Sequence, residues 1–285
     1  MRLERTLRLI YNEPWFLPGS YHANLRNLLD LKLAMSRQEF ATRQREGEDI
    51  SGGKVQLPSM EIKKGIAHIP FAGVLVKGAT AMEKGSGALA HEDVFSDLDE
   101  ALSNSEVKGI FFDCDSPGGT AAGSFELADA IAEAAEKKPT LAWVERLCCS
   151  GALLSLSGCG MIYGSKTSEI GAVECYMAWL DASVAMEKAG LRVELIKNKG
   201  GEHVAAGYPG HPLTEAQRGQ LQAQVDQLYG MYVEHLSQHR IGMKPESMDG
   251  RTFIGEAAKE AGLFDAVTTK SQALADLRSW AGLVG

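Results

Sequence analysis

From residue 65 onward, short apolar runs typical of strands alternate with longer amphipathic stretches typical of helices. The runs at 65–76, 107–115 and 139–145 predict strands, and the stretches at 91–103 and 120–138 predict helices. Strand–helix–strand units of this length favour parallel strand pairing with right-handed crossovers. The pattern therefore predicts an α/β fold with a sheet that is covered on both faces.

The second half of the chain continues this alternation of short strands and helices. Residues 214–240 form the longest amphipathic stretch, and Thr214 with Gln217 three residues later has the spacing of a capping box. The other predicted elements are a helix from Ser150 to about 157, strands at 161–164 and 168–173, a helix at 182–190 ended by Gly190, a strand at 191–198, and helices near 255–262 and 270–281.

The first 55 residues predict a helical extension, and residues 56–285 predict one domain. Two helices are expected in the extension, near 2–10 and 21–45, separated by Pro14 and Pro18. The segment SGGK at 51–54 has the composition of a flexible joint. Two interpretations remain open for the extension: it packs on the domain, or it is an arm that binds a partner during assembly.

Composition excludes several classes of protein. Of the 285 residues, 45% are apolar and 23% are charged. The net charge is −8, and the sequence has no basic patch of the kind that nucleic-acid binders carry. Five cysteines without a CxxC pair argue against a disulfide scaffold and for a reducing compartment. No apolar run reaches the roughly 18 residues that a membrane span needs. We therefore expect a cytoplasmic protein with no membrane span, no nucleic-acid partner and no cofactor.

The segment DSPGG at 115–119 joins a predicted strand to a predicted helix. Glycines at such a turn expose backbone N–H groups, which a following helix dipole supports as donors to an anion. Gly118 and Gly119 are therefore candidates for an oxyanion hole, although a simple tight connection fits as well. A phosphate loop lacks its GxxxxGK[ST] pattern, and a calcium loop fails because Pro117 and Ser124 stand at ligand positions.

Ser150 and Gly151 begin the small-residue helix CCSGALLSLSG at 148–158. A serine in the first helical turn with an N–H one residue later is the arrangement that acyl transfer uses, since both groups face one carbonyl. The competing interpretation is a helix N-cap, a common role for serine. Because residue 148 is a cysteine, the GxSxG nucleophile motif is absent. A thiol nucleophile at Cys149 is a weaker alternative than burial in the core.

These segments together resemble the signal-peptide-peptidase-A family of serine peptidases, in its phage capsid-assembly (protease C-like) branch. The resemblance covers about residues 60–268. It is carried by VKGIFFDCDSPGG, CCSGALLSLSG, SEIGAV, LRVELIKNKGGEHVAAGYPGHPLT and RTFIGEAAKEAGLFDAV, with IYNEPWFLP near the N-terminus. It implies a ClpP/crotonase-like fold of stacked βαβ units with a long C-terminal helix, and self-assembly into rings or tetramers.

The resemblance also implies a Ser/Lys dyad with Ser150 as nucleophile and Gly119 and Gly151 as oxyanion donors. The implied substrates are polypeptides, the scaffold and other prohead proteins. The position that matches the family's basic lysine holds Val204, so Lys199, with Lys197 beside it, and His203 are the candidate bases. An inactive homologue that acts as an assembly factor is the alternative, and an acyl-CoA enzyme on the same fold is a weaker one.

Two further residues bear on the chemistry of the site. Glu169 stands where the family has a serine, and a carboxylate there could orient His203 toward a Ser/His/Glu arrangement. His235 and His239 are one helical turn apart on the long helix, but the HExxH pattern of a zinc site is absent. We therefore expect no metal site and a solvated helix face at these histidines.

Overall fold

A computed structural model describes residues 10–11, 13–23 and 59–283 of the chain. Its larger sheet is built mainly from parallel strands in the order β12–β10–β8–β6–β3–β2. A branch of this sheet joins β9 to β8 and β13 to β9. The strands are β2 (Glu61–Lys63), β3 (Ile66–Ala72), β6 (Gly109–Ser116), β8 (Thr140–Cys149), β9 (Met161–Gly164), β10 (Glu169–Gly171), β12 (Thr252–Ile254) and β13 (Ala266–Val267).

The strands of a second, smaller sheet are β1 (Pro14–Phe16), β4 (Val74–Val76), β5 (Ala88–Ala90), β7 (Gly119–Thr120) and β11 (Tyr176–Met177). Their order in the sheet is β11–β1–β7–β4–β5. Strands β4, β5 and β7 are parallel, whereas β1 is antiparallel to both of its neighbours. An N-terminal strand therefore lies between two strands that belong to the body of the protein.

Helices cover the sheets and confirm the predicted α/β class with stacked βαβ units. They are α1 (Ala81–Lys84), α2 (His91–Ser103), α3 (Ser124–Lys137), α4 (Gly151–Leu156), α5 (Ser183–Lys188), α6 (Glu215–His239), α7 (Gly255–Glu260) and α8 (Lys270–Trp280), with a 3₁₀ turn at Pro245–Ser247. The Thr214 hydroxyl accepts from the Gln217 N–H and the Gln217 side chain accepts from the Thr214 N–H, so the predicted capping box begins α6.

The main core lies between the larger sheet and helices α2, α3 and α4. Ile69, Ile110, Leu127, Val144 and Leu153 are fully buried there. Strand β6 has buried residues on both faces along most of its length, which explains its nearly continuous apolar sequence. A second cluster on the opposite face packs α8 against β6 and β8. The core therefore holds the ends of β6 and β8 in fixed positions.

Two predicted elements differ from the structure. The helix expected from residue 120 begins at Ser124, because Gly119 and Thr120 pair as β7 and Gly123 turns the chain at a positive φ of 92°. The strand expected at 191–198 is wrong: these residues have no regular secondary structure. Leu191 and Ile196 face solvent, Ile196 at 96% exposure, and no described strand pairs with the segment.

The described part of the N-terminal extension is short. Residues 19–23 are helical and residues 14–16 form β1, so the segment between the two prolines is a paired strand. The expected helix near 2–10 and most of the one near 21–45 lie outside the described residues. The domain boundary near residue 55 also lies outside them and stays a prediction.

Candidate active site

Ser150 lies at the turn between β8 and α4, in a conformation that few non-glycine residues adopt. Its φ and ψ are 49° and −117°. Its N–H donates to the Gly171 carbonyl at 2.8 Å, and its own carbonyl accepts from the Leu154 N–H at 3.0 Å and from the Tyr232 hydroxyl at 2.6 Å. Backbone strain of this kind costs about 1–3 kcal/mol and persists only where the surrounding contacts impose it.

The Ser150 hydroxyl is buried and does not cap the helix. It makes no hydrogen bond to the first turn of α4, so the N-cap interpretation of this side chain is wrong. Among the described residues the oxygen has no hydrogen-bond partner at all. An unpaired buried hydroxyl costs about 1–3 kcal/mol. The strain and the unpaired oxygen together mark Ser150 as a residue whose placement does not serve stability.

The glycine turn predicted at 118–119 lies directly beside Ser150. A Cβ built on Gly118, where φ is 104°, would lie 2.7 Å from the Gly151 nitrogen. A Cβ on Gly151 would lie 3.1 Å from the Gly119 nitrogen. The backbone nitrogens of Gly119 and Gly151 thus lie close to each other, with glycine at positions 118, 119 and 151. This is the convergence of two donors that stabilisation of an oxyanion requires.

The two candidate bases lie in an exposed segment. Lys199 and His203 belong to the irregular stretch that precedes α6, and both side chains are exposed. No hydrogen bond among the described residues joins either of them to Ser150, and none joins Glu169 to His203. Val204 is 46% exposed, and its carbonyl accepts from the Gln217 side chain at 2.9 Å. The single chain therefore does not bring the candidate base to the candidate nucleophile.

The cysteines beside Ser150 are not activated. Burial raises the pKa of the Cys149 thiol far above its usual range, and the nearby Glu169 carboxylate adds to the rise. Cys148 shows the same direction for its pKa, again mainly through burial. A thiol nucleophile needs a lowered pKa, so both residues are core packing rather than chemistry.

The histidines on α6 form a partly buried pair. His235 is buried and packs against Phe125, which corrects the expectation of a fully solvated face, while His239 is exposed. Their ring centroids are 4.5 Å apart. Within the described part of the chain, no group of three or more His, Cys, Asp or Glu side chains is arranged to hold a metal ion.

Two functional features were not foreseen from the sequence. Tyr232 lies on α6, 82 positions from Ser150, and the sequence carries no local signal for its bond to that carbonyl. The second is β1: a Cβ on Gly118 or Gly151 would lie 2.3 or 3.2 Å from the carbonyl oxygen of Phe16. The pattern PWFLP, with prolines on both sides of three apolar residues, was the available signal for an extended segment.

A model of a known protein family matches the part of the chain that contains Ser150. The family model described as "Peptidase family S49" matches residues 132–283, which include Ser150 and the whole of α4 and α6. The chain belongs to peptidase family S49. This confirms the family resemblance, and the similar relatives include two phage proteins and a "Putative signal peptide peptidase SppA" of Enterococcus faecium.

Two phage proteins are among the similar relatives of this S49 chain. "Capsid assembly protease C" of Escherichia phage lambda is 29% identical over 286 residues, covering 95% of this chain and 64% of that protein. "Head-tail preconnector protein GP5" of Enterobacteria phage P21 is 30% identical over 230 residues, covering 80% and 45%. This chain thus spans less than two thirds of either relative.

Solved structures with a similar fold include a protease and members of the enoyl-CoA hydratase/isomerase family. One is a mutant of the "1510-N membrane-bound stomatin-specific protease", with a TM-score of 0.45, 13% identity and coverages of 76% of this chain and 86% of that one. Another is an enoyl-CoA hydratase/isomerase from Acinetobacter baumannii, with a TM-score of 0.44, 15% identity and coverages of 81% and 83%. Within the described residues of this S49 chain, no helix has the length and apolar character needed to cross a membrane.

Proposed function

We propose that the chain is a serine endopeptidase in which Ser150 is the nucleophile and the Gly119 and Gly151 N–H groups form the oxyanion hole. The observation that carries this proposal is the convergence of these two amides beside a strained serine whose hydroxyl has no structural partner. Attack of the Ser150 oxygen on a peptide carbonyl would place the developing negative charge between the two donors.

The proposed substrates are the scaffold and other capsid-assembly proteins of a phage prohead. Support comes from family S49 membership and from two phage relatives whose names refer to capsid assembly and to a head-tail preconnector. A prohead protease would work in the host cytoplasm or inside the assembling particle.

We propose that the base reaches Ser150 from a second copy of the chain. A serine hydroxyl needs a proton acceptor, and a lysine or histidine of the 197–203 segment is exposed in the single chain. Exposed apolar side chains concentrate around that segment, at Leu180, Val184, Leu191, Ile196, Val204 and Tyr208. A cluster of exposed apolar side chains favours a protein interface. A homo-oligomer would cover these side chains and bring Lys199 and His203 of one copy to the Ser150 of its neighbour.

Labelling with a fluorophosphonate probe tests the nucleophile. The wild-type oligomer should be labelled at one site, and Ser150→Ala should abolish the label. Ser155→Ala is the matched control, because that serine lies on the same helix, is buried, and donates to the Gly151 carbonyl at 2.8 Å. A label that persists in Ser150→Ala would contradict the assignment.

Subunit mixing tests the origin of the base. Lys199→Ala and His203→Ala are made separately, and the variant that loses labelling identifies the base. Mixing that variant with Ser150→Ala subunits before assembly should restore labelling, because each copy supplies the group that the other lacks. Unchanged labelling in both single variants, or no restoration on mixing, would contradict a base from the 197–203 segment of a neighbouring copy.

The second candidate function is that of an inactive homologue with a structural role in assembly. It is favoured by Val204 at the expected lysine position and by the absence of any described basic side chain at the Ser150 oxygen. In that case the oligomer would form, remain unlabelled and bind a capsid-assembly protein without cleaving it.

A further inference from the structure

Strand β1 fills a gap between two strands of the smaller sheet. Strands β7 and β11 are each two residues long, and within the described part of the chain β11 pairs only with β1. Trp15 lies opposite Thr120 on one side and opposite Tyr176 on the other. Without β1, the backbone groups of β7 and β11 would face an open slot of the width that one extended peptide fills.

The register of β1 places one carbonyl at the candidate oxyanion hole. The Ala121 N–H donates to the Pro14 carbonyl at 3.1 Å, and Phe16 lies opposite Gly119 two residues further along. In an antiparallel ladder, hydrogen-bonded pairs alternate with pairs that are not hydrogen-bonded, so the Gly119 N–H faces the Phe16 carbonyl. The same oxygen lies against Gly118 and Gly151, at the distances given above for their Cβ positions.

The side chains of residues 15–17 are deeply buried. Trp15, Phe16 and Leu17 are at most 2% exposed, so they are packed into the groove rather than laid over it. The Phe16 ring packs against Phe125 on α3 and Tyr232 on α6, with centroid distances of 5.8 and 5.0 Å. These two aromatic rings line the pocket for the residue whose carbonyl faces the glycine amides.

We propose that residues 14–17 are an intramolecular ligand of the peptide groove, bound as a substrate would be, and that they inhibit the chain until they are displaced. The inference rests on the proposed function in treating the groove beside Ser150 as the substrate site. It adds a specificity: a competing substrate is an extended apolar peptide with an aromatic residue directly before the reacting bond, because the pocket that holds Phe16 is aromatic. The Phe16–Leu17 peptide bond thus occupies the position that the reacting bond of a substrate would take.

A reversible lock tests the inference in the full-length chain. Pro14 and Met177 face each other across β1 and β11, and both are half-buried. By the alternation of the ladder they form a pair that is not hydrogen-bonded, with the Cα separation of about 4.5 Å that a disulfide accepts. The double variant Pro14→Cys/Met177→Cys should therefore hold β1 in the groove when oxidised and release it when reduced.

Two readouts are compared between the oxidised and reduced states. The rate of fluorophosphonate labelling at Ser150 should fall at least tenfold on oxidation and recover on reduction. Binding of a fluorescent peptide EPWFLP, the sequence of residues 13–18, is measured in the lock variant that also carries Ser150→Ala. It should be lost on oxidation, and a peptide with Phe16→Asp should bind at least tenfold more weakly in the reduced state. The single variants Pro14→Cys and Met177→Cys, treated identically, should show no change with redox state.

Each result decides between the inference and its failure. Equal labelling and equal peptide binding in the two redox states would overturn it, since β1 would then not occupy the groove that the probe and peptide enter. Equal binding of the two peptides in the reduced state would overturn the aromatic specificity. If no state is labelled but peptide binding still depends on the lock, the groove assignment holds and the catalytic proposal fails.

Discussion

The Tyr232 hydroxyl donates to the Ser150 carbonyl at 2.6 Å, although the two residues are 82 positions apart. Tyr232 is fully buried, and desolvation raises the pKa of its phenol well above its usual range. The phenol therefore stays a neutral donor. Through this bond the long helix α6 fixes the turn that carries the candidate nucleophile.

Tyr232→Phe should weaken both stability and reactivity. Losing one hydrogen bond to a carbonyl that keeps its bond from Leu154 should lower the free energy of unfolding by about 1 kcal/mol. Release of the Ser150 turn should slow fluorophosphonate labelling about tenfold, since small displacements of reacting groups cost large factors. Urea unfolding and labelling rates measure the two effects.

Tyr229→Phe is the matched control for that variant. The Tyr229 hydroxyl also donates to a backbone carbonyl, that of Met248, from the same helix. Its loss should cost a similar free energy of unfolding and leave the labelling rate unchanged. Equal slowing of labelling in the two variants would contradict a specific positioning role for Tyr232.

Ser150 variants should be more stable than the wild type. Ser150→Ala removes a buried hydroxyl that has no partner among the described residues, which should raise the free energy of unfolding by about 1 kcal/mol. Ser150→Gly should raise it further, because glycine adopts a φ of 49° without the steric cost that alanine retains. Chemical denaturation should give the highest free energy of unfolding for Ser150→Gly, the next for Ser150→Ala and the lowest for the wild type. If the wild type were the most stable of the three proteins, the Ser150 hydroxyl would have to make a stabilising hydrogen bond, and the prediction would be wrong.

The glycine turn should not tolerate a side chain. A Cβ on Gly119 would lie 2.0 Å from the Leu75 carbonyl oxygen, a backbone atom that cannot move away alone. Gly119→Ala should therefore cost at least about 3 kcal/mol of unfolding free energy and abolish labelling. Gly219→Ala is the control, because that glycine lies inside α6 with no atom within 4 Å of a Cβ; it should stabilise by about 0.5–1 kcal/mol.

Asp97 on α2 gives the protein a predictable dependence of stability on pH. Burial raises the pKa of its carboxyl to about 6, with Glu100 and Asp93 adding to the rise. Because the folded pKa exceeds the unfolded value of about 3.9, the stabilisation is complete below about pH 4 and is lost as pH rises through about 6. The difference between the folded and unfolded pKa of Asp97 corresponds to about 3 kcal/mol of unfolding free energy. Because the carboxyl is only half-buried and solvent screens it, we expect about 1 kcal/mol.

Asp97→Asn should therefore raise the free energy of unfolding by about 1 kcal/mol at pH 8 and leave it unchanged at pH 4. Asp99→Asn, an exposed position on the same helix, is the control and should change neither value. Urea denaturation at the two pH values measures the difference. A stabilisation of equal size at both values would contradict titration of Asp97 as its cause.

The sequence by itself determined the local elements and the two halves of the candidate site. Helix α2, strand β9 and the capped start of α6 follow from apolar periodicity and end signals, which act within a few residues. Ser150 with Gly151, and the Gly118–Gly119 turn, were found because each is a short motif at a boundary between elements. Such motifs can be recognised from the sequence without knowing which residues pack around them.

Only the tertiary structure decided how these pieces meet and what covers them. The pairing of Phe16 with Gly119 and the bond from Tyr232 to Ser150 join positions about 100 and 82 residues apart, and no periodic pattern encodes such contacts. The segment 191–198 shows the converse: its composition favours a strand, but a strand needs a neighbour to satisfy its backbone hydrogen bonds, and the described chain offers none. Local preference sets which conformation a segment can adopt, whereas long-range packing selects its partner.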